Sequence, residues 1–346
     1  MELQDLQIAL ESRKNQTPKR DIGKFAQSFI IDPLIEIPAP PVILSFNDST
    51  ICTLGNFSLL MGKAKSRKTF LITALASASI SGESNIIGLD GSLPEDRKVI
   101  LFDTEQSDYH AQQTVKRICT QARNSHPDNF IAYGLRPLTP AERVEVIDYV
   151  IQTTERPGIV IIDGLRDLLS RGINDEEEAT RIISKVLKWT HQYQVHILLV
   201  LHQNKNDQNA RGHVGTEAVN KAETVLSVSK DSRNPDVSIV TPEYCRDLEF
   251  EPFGFQINVD GLPELSVMSE PNNKLEEIRD NFKHLLPGMR TMTYNELTKE
   301  YLELAAVTER TATRHISQAV KQNIIVKGAN GNYKLKIQNE EIKEPF

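Results

Sequence analysis

The chain has 346 residues, of which 39% are hydrophobic and 25% charged; this is the composition of a globular protein and argues against a collagen-like, low-complexity or disulfide-built one. Its three cysteines, Cys52, Cys119 and Cys245, are far apart and lack metal-ligand spacing, so they read as free thiols in a reducing cytoplasm. The net charge of −7 is unpromising for a nucleic-acid binder as a sum, yet residues 274–336 hold 11 Lys/Arg against 7 Asp/Glu, which sets a basic tail on a more acidic body.

Residues 1–20 are polar and read as an arm for packing on a neighbouring subunit or as a disordered tail. The start, Met1-Glu2-Leu3-Gln4-Asp5, is no signal peptide, and no apolar run in the chain is long enough to cross a bilayer, so the expected location is the cytoplasm. Pro33 and Pro38-Ala39-Pro40-Pro41 mark an extended lead-in that closes a first segment, 1–41. From 42 to 270, strand-like runs at Phe57–Met61, Val99–Asp103, Ile159–Asp163, Val195–Leu201, Thr224–Ser229 and Ser238–Thr241 alternate with helical periodicity at 69–81, 107–123, 141–154 and 177–193. That alternation predicts an α/β domain with a mostly parallel sheet covered on both faces, ending in an antiparallel portion where the helices stop. Beyond Pro271-Asn272-Asn273, helical patterns at 274–286, 294–304 and 310–322 precede a strand-turn-strand signal, which outlines a winged helix-turn-helix over 274–338.

Chemistry gathers at the strand ends. Gly62-Lys63-Ala64-Lys65-Ser66-Arg67-Lys68-Thr69 lies between a strand and a helix, the layout of a phosphate-binding loop whose N–H groups cradle an anion. Lys68 would reach the β- and γ-phosphates of ATP, and Thr69 would ligate Mg²⁺. Arg67 stands where the pattern has Gly, which restricts the backbone there. Four apolar residues run into Asp163, an acid placed to hold the Mg²⁺ shell. Lys98-Val99-Ile100-Leu101-Phe102-Asp103-Thr104-Glu105 offers Glu105 as the carboxylate that polarises an attacking water; Asp103 is its rival, and a helix-capping role for Glu105 is the bland alternative. A further strand ends in His202-Gln203, both able to sense a γ-phosphate. The polar stretch from Lys205 to Thr216 follows; there Lys205 and Arg211 would meet nucleic-acid phosphates, unless the loop is inert surface. Lys230 and Arg233 could project into a neighbour's site or be solvated charges.

In this order the motifs resemble those of the RecA-like ATPases, and within them the chain is most similar to the RepA-type hexameric replicative helicases and related AAA ATPases of plasmids and mobile elements. The resemblance covers about 42–260. It implies a RecA fold, a ring of subunits (usually six) with ATP and Mg²⁺ at the interfaces, and DNA in a central channel. By that resemblance Lys68 and Thr69 are the phosphate-loop pair, Glu105 the catalytic glutamate, Asp163 the metal-side acid, His202-Gln203 the sensor, and Arg233 with Lys230 the trans-acting cations. The sequence departs from the pattern at Arg67, and the acidic run Asp175-Glu176-Glu177-Glu178 does not suit a DNA-facing loop.

In the tail, Thr308 through Lys321 reads as a recognition helix. Thr308 is its cap, Ile316, Ala319 and Val320 face inward, and Arg310, Arg314 and Lys321 are free for a DNA groove; Lys334 on the wing could touch phosphates. A winged helix can equally serve protein contacts. The expectation is therefore a ring-forming, ATP-hydrolysing DNA helicase or translocase acting in replication of a plasmid or mobile element, with a replication initiator as a possible partner. The alternatives are an ATP-switched DNA-binding regulator or loading factor, and a nucleotide-binding scaffold.

Overall fold

The computed structural model describes residues 21–82, 84–204, 210–268, 274–328 and 331–336. The chain divides at Pro41 into two units, Met1–Pro41 and Val42–Phe346. In the first, helix α1 (Ile22–Gln27) begins where the Asp21 carboxylate accepts bonds from the Gly23 and Lys24 N–H groups. The arm expected at 1–20 lies outside the described residues.

The second unit opens with a hairpin, β1 (Val42–Phe46) and β2 (Ser49–Thr53), followed by β3 (Phe57–Gly62) and helix α2 (Lys68–Ser81). Short strands β4 (Ser84–Ile86) and β5 (Leu89–Gly91) join the hairpin in a four-stranded antiparallel sheet of order β2-β1-β5-β4. This small sheet lies over α2, where Gly91 comes so close that a Cβ there would sit 1.9 Å from the Ala78 carbonyl oxygen. The Ser/Ala-rich sequence of α2 follows from that crowding, and ten of its 14 residues are buried.

The chain then alternates: β6 (Lys98–Asp103), α3 (Asp108–Gln121), β7 (Phe130–Gly134), α4 (Pro140–Thr153), β8 (Pro157–Asp163), α5 (Glu176–Tyr193), β9 (His196–His202), α6 (Gly212–Lys221) and β10 (Thr224–Lys230). Three antiparallel strands complete the large sheet: β11 (Val237–Cys245), β12 (Phe253–Ile257) and β13 (Pro263–Ser266). The nine strands run in the order β13-β12-β11-β10-β3-β9-β8-β6-β7, parallel from β10 to β7 and antiparallel from β10 to β13. The mostly parallel sheet with an antiparallel end, expected from the alternation, is the observed one. Strands buried on both faces explain the unbroken apolar runs such as Ile159–Ile162. One core, around Leu60, Leu75 and Phe255, lies on one face. A second, around Trp189, Ile162 and Leu199, lies on the other.

The remaining described residues form α7 (Lys274–Leu285), β14 (Thr291–Met292), α8 (Tyr294–Ala305), α9 (Glu309–Lys321), β15 (Ile325–Lys327) and β16 (Tyr333–Leu335), with the strands in the order β14-β16-β15. They have their own core, in which Phe282 stacks on Tyr301 at 4.8 Å and the Tyr301 hydroxyl meets His315 Nδ1 at 3.0 Å. Thr293 and Glu296 form a reciprocal cap at the start of α8. Helix α9 departs from expectation in two details. Its inner face is Ala312, His315, Ile316 and Ala319, while Val320 is 38% exposed. Thr308 holds the N-cap position without a side-chain bond to the helix backbone; its hydroxyl pairs with that of Thr311 instead.

Candidate functional site

The ends of four adjacent parallel strands meet at one edge. Gly62 of β3 pairs in register with His202 of β9, Asp163 of β8 with Val200 of β9, and Asp103 of β6 with Asp163. The carboxyl edge of an open α/β sheet is where such folds bind ligands. A cavity of about 390 Å³ opens there between Lys65–Phe70, Glu105, Asp163–Gly164, Arg166 and Val200–His202.

The loop from Gly62 to Thr69 has the shape its sequence implies. Gly62 is required, because a Cβ would meet the Val228 carbonyl oxygen at 2.5 Å. Lys65 and Arg67 both take left-handed φ, 65° and 74°, and Ser66 N–H bonds back to the Lys63 carbonyl at 3.2 Å. Alternation of this kind turns successive N–H groups inward as an anion nest. The pattern's Gly at position 67 is thus a demand for positive φ. Arg67 meets it while its guanidinium donates to the Asp236 carbonyl at 2.7 Å and to Ser238 Oγ at 3.4 Å.

Lys68 Nζ donates to the carbonyls of Gly62 at 2.9 Å and Lys63 at 3.1 Å, and stands 3.2 Å from His202 Nδ1. An ammonium only donates, so Nδ1 must accept, and the His202 proton then sits on Nε2. That nitrogen faces Glu105 Oε1 at 3.4 Å. The His202 contact holds Glu105 below the usual carboxylate range against the opposing effect of burial, and Lys68 and Arg166 add to it. Burial lowers Lys68, which the nearby Asp163 and Glu105 charges partly offset. Asp163 is pushed up to about 7 by burial and then by the neighbouring Asp103 and Glu105.

Asp103, the rival base, is committed elsewhere. Its carboxylate accepts from the Glu105 and Gln106 N–H groups at 3.0 and 2.8 Å and from the Gln106 side chain at 2.6 Å. It shapes the turn that presents Glu105. The turn after Asp163 carries Arg166, a cation on the cavity wall that sequence reasoning missed. It is held by Thr104 Oγ1 donating to Asp167 Oδ2 at 2.9 Å and Arg143 donating to the Asp167 carbonyl at 2.8 Å.

The residues fit ATP and Mg²⁺. Ser66 Oγ is buried with no hydrogen-bond partner, an orphan that a phosphate oxygen would satisfy. Burial and then the neighbouring Asp103 and Glu105 disfavour the ionised form of Asp163, and a divalent cation beside it would offset both. Among the described residues no group of three or more His, Cys, Asp or Glu could hold a metal alone. Mg²⁺ would therefore rest on Thr69, Asp163 and nucleotide oxygens.

Residues 38–208 match the family model described as AAA domain. Together with the geometry of the cavity, that match makes the stretch a P-loop ATPase domain. Its sequence matches none of the curated proteins compared. Among solved structures it is similar to one titled "Crystal structure of the RadB recombinase", at 17% identity and a TM-score of 0.46, covering 63% of this chain and 94% of that one.

Other candidate residues of the ATPase fall outside the cavity. Gln203 is buried and does not line it; it lines a neighbouring space of about 670 Å³ on the loop's other side, with Lys63, Lys65 and Lys230. Lys230 and Arg233 are exposed at the β10–β11 turn and do not touch the nucleotide cavity. Lys205 lies outside the described residues. Arg211 is exposed immediately before α6, so the polar loop ends at 211 rather than 216. The acidic run is a helix start rather than a loop: Asp175 caps α5, and buried Glu178 accepts the Ser170 and Arg171 N–H groups at 2.8 and 2.7 Å. Arg310, Arg314, Lys321 and Lys334 are all exposed. No helix among the described residues is long and apolar enough to cross a membrane.

The raised Asp163 has a pH consequence. Its folded value of about 7 exceeds the ordinary 3.8, so the folded chain binds a proton that the unfolded chain releases between those limits. Its contribution is favourable below about pH 4 and is lost as pH rises to about 7. Asp163→Asn removes this term. Stability of the variant minus that of the native chain should therefore grow with pH over 4–7, by at most about 1.4 kcal/mol per unit. Urea melts at pH 4.5, 6 and 7.5 check it, and a flat difference would contradict the assignment.

Proposed function

We propose that the ATPase works on DNA, as a ring-forming helicase or translocase whose neighbouring subunit completes each site, in replication of a plasmid or mobile element. The observation that carries this reading is the run Lys68, His202, Glu105 beside Asp163. It joins a phosphate-reading cation to a carboxylate that remains ionised and can polarise water. On this reading Lys68 and the loop N–H groups hold the phosphates, His202 orients Glu105, and Glu105 takes the proton of the attacking water. When bound, Mg²⁺ would neutralise phosphate charge beside Thr69 and Asp163.

Lys230 and Arg233 are exposed and do not line the nucleotide cavity of their own chain, which suits a role on a neighbour. That supports assembly into a ring, with six copies as the expected number. Gln203 follows His202 directly and begins the segment ending at Arg211. Beside that segment a polar space of about 430 Å³ is lined by Asn174, Asn204, His213, Thr216 and Asn220, side chains suited to a single strand. Residues 274–336 supply three helices and a small sheet, which we read as a winged helix-turn-helix presenting Arg310, Arg314 and Lys321 to a duplex, with Lys334 on the wing.

A crossed experiment tests the division of labour. Replacing Arg310, Arg314 and Lys321 by Ala should weaken duplex binding and reduce its log–log salt slope by about 2.7. Stimulation of ATP turnover by single-stranded DNA should survive. Replacing Lys205 and Arg211 by Ala should do the reverse. Forked-duplex displacement by the native chain completes the test. Binding and turnover without displacement would leave an ATP-switched regulator or loading factor in place of the helicase.

A further inference from the structure

Arg67 occupies a position whose φ of 74° favours glycine. A non-glycine residue held there needs surrounding structure that fixes it. Here that structure is the start of β11. The guanidinium donates to the Asp236 carbonyl at 2.7 Å and to Ser238 Oγ at 3.4 Å, and lies 3.7 Å from the exposed Asp236 carboxylate. A second link runs back, because Ser238 Oγ donates to the Ser66 carbonyl at 3.2 Å. The phosphate loop is thus stapled twice, one residue from Lys68, to a strand far away in sequence.

The turn that leads into this strand is a unit. Asp231 N–H donates to the Val237 carbonyl at 3.0 Å and Val237 N–H to the Asn234 carbonyl at 2.9 Å. Asp231 Oδ1 accepts the Arg233 N–H at 2.8 Å. A shift of Asp236 and Ser238 must therefore carry Arg233 with it.

We propose that Arg67 is a positioning residue coupling the phosphate loop to the turn at 231–237, so that nucleotide held by the loop alters the turn bearing Arg233. This rests on the reading of residues 62–69 as the nucleotide loop. Glycine at position 67 would adopt the same φ freely and give up the tie. Coupling through this contact is a property of the arginine and not of the loop pattern.

Hydrogen exchange on the full chain, with and without saturating non-hydrolysable ATP analogue and Mg²⁺, reads the coupling directly. In the native chain, amides in 62–70 and in 231–238 should both slow, the second group by at least about fivefold. In Arg67→Gly, at its own saturating concentration, 62–70 should slow while 231–238 stays unchanged. Arg67→Lys should give a partial response, since an ammonium can reach the carbonyl but lacks the fork. Ser238→Ala, which leaves position 67 intact, should lower the response of the turn and carries the test if Arg67→Gly fails to fold. Equal slowing of 231–238 in the native, glycine and Ser238→Ala chains overturns the coupling. So does slowing of 62–70 alone in the native chain. No slowing at 62–70 in the native chain overturns the nucleotide reading, and the coupling with it.

Discussion

Lys68→Ala should lower ATP turnover by at least about a thousandfold, equivalent to about 4 kcal/mol of transition-state stabilisation. The side chain is buried at the cavity floor, and all three ammonium protons have a partner: two loop carbonyls and His202 Nδ1. Alanine removes the only lysine at the start of α2 and leaves His202 without the donor that fixes its tautomer. Loss of Lys68 therefore disturbs the phosphate contact and the orientation of Glu105 together. Lys68→Arg should not rescue, because a planar fork cannot direct three donors to this arrangement. Steady-state turnover, with circular dichroism to confirm folding, checks it. Turnover within tenfold of the native chain would show that the loop is not the nucleotide site.

Glu105→Gln should retain nucleotide binding and lose about 10²- to 10⁴-fold in hydrolysis. The amide can still accept the His202 Nε2–H and hydrogen-bond a water, but it cannot take a proton. Asp103→Asn should act differently. Its carboxylate holds two backbone N–H groups and a side-chain amide, so the expected loss is in stability of the 103–106 turn, with a smaller fall in turnover. Titration with a fluorescent nucleotide and single-turnover hydrolysis separate the cases. Full hydrolysis by the Glu105 variant together with none by the Asp103 variant would transfer the base to Asp103.

Much of this arrangement was legible from the sequence because it depends on local rules. A strand buried on both faces reads as an apolar run, and a run that stops at an acid or a histidine marks a strand end. Phe57–Met61, Val99–Asp103 and Ile159–Asp163 were visible for that reason. The small sheet was not, since β4 and β5 have three residues each and draw their stability from α2 beneath them. Helix α6 was hidden because Gly212 and Gly215 make its start look like loop; both glycines serve close packing, against Ile173 and Ala210. Arg166 escaped notice because a lone arginine after a strand has no pattern; only the turn fixed by Arg143 and Thr104 brings it to the cavity wall. The function of His202 as a bridge between Lys68 and Glu105 required distances. The meaning of Arg67 required its φ and its partner on β11.

The burial of α2 determines where flexibility can reside. With its Ala78 carbonyl abutting Gly91 and sheets packed on two sides, the helix has no room to slide or roll without creating a clash or a void, and packed interiors resist both. It is a fixed anvil. On the proposed reading, movement at this edge has to pass through other parts: the phosphate loop between β3 and α2, the tips of the neighbouring strands and the turn beyond β10. In a ring, subunits built this way would trade force along their rims while the body of each remained stiff.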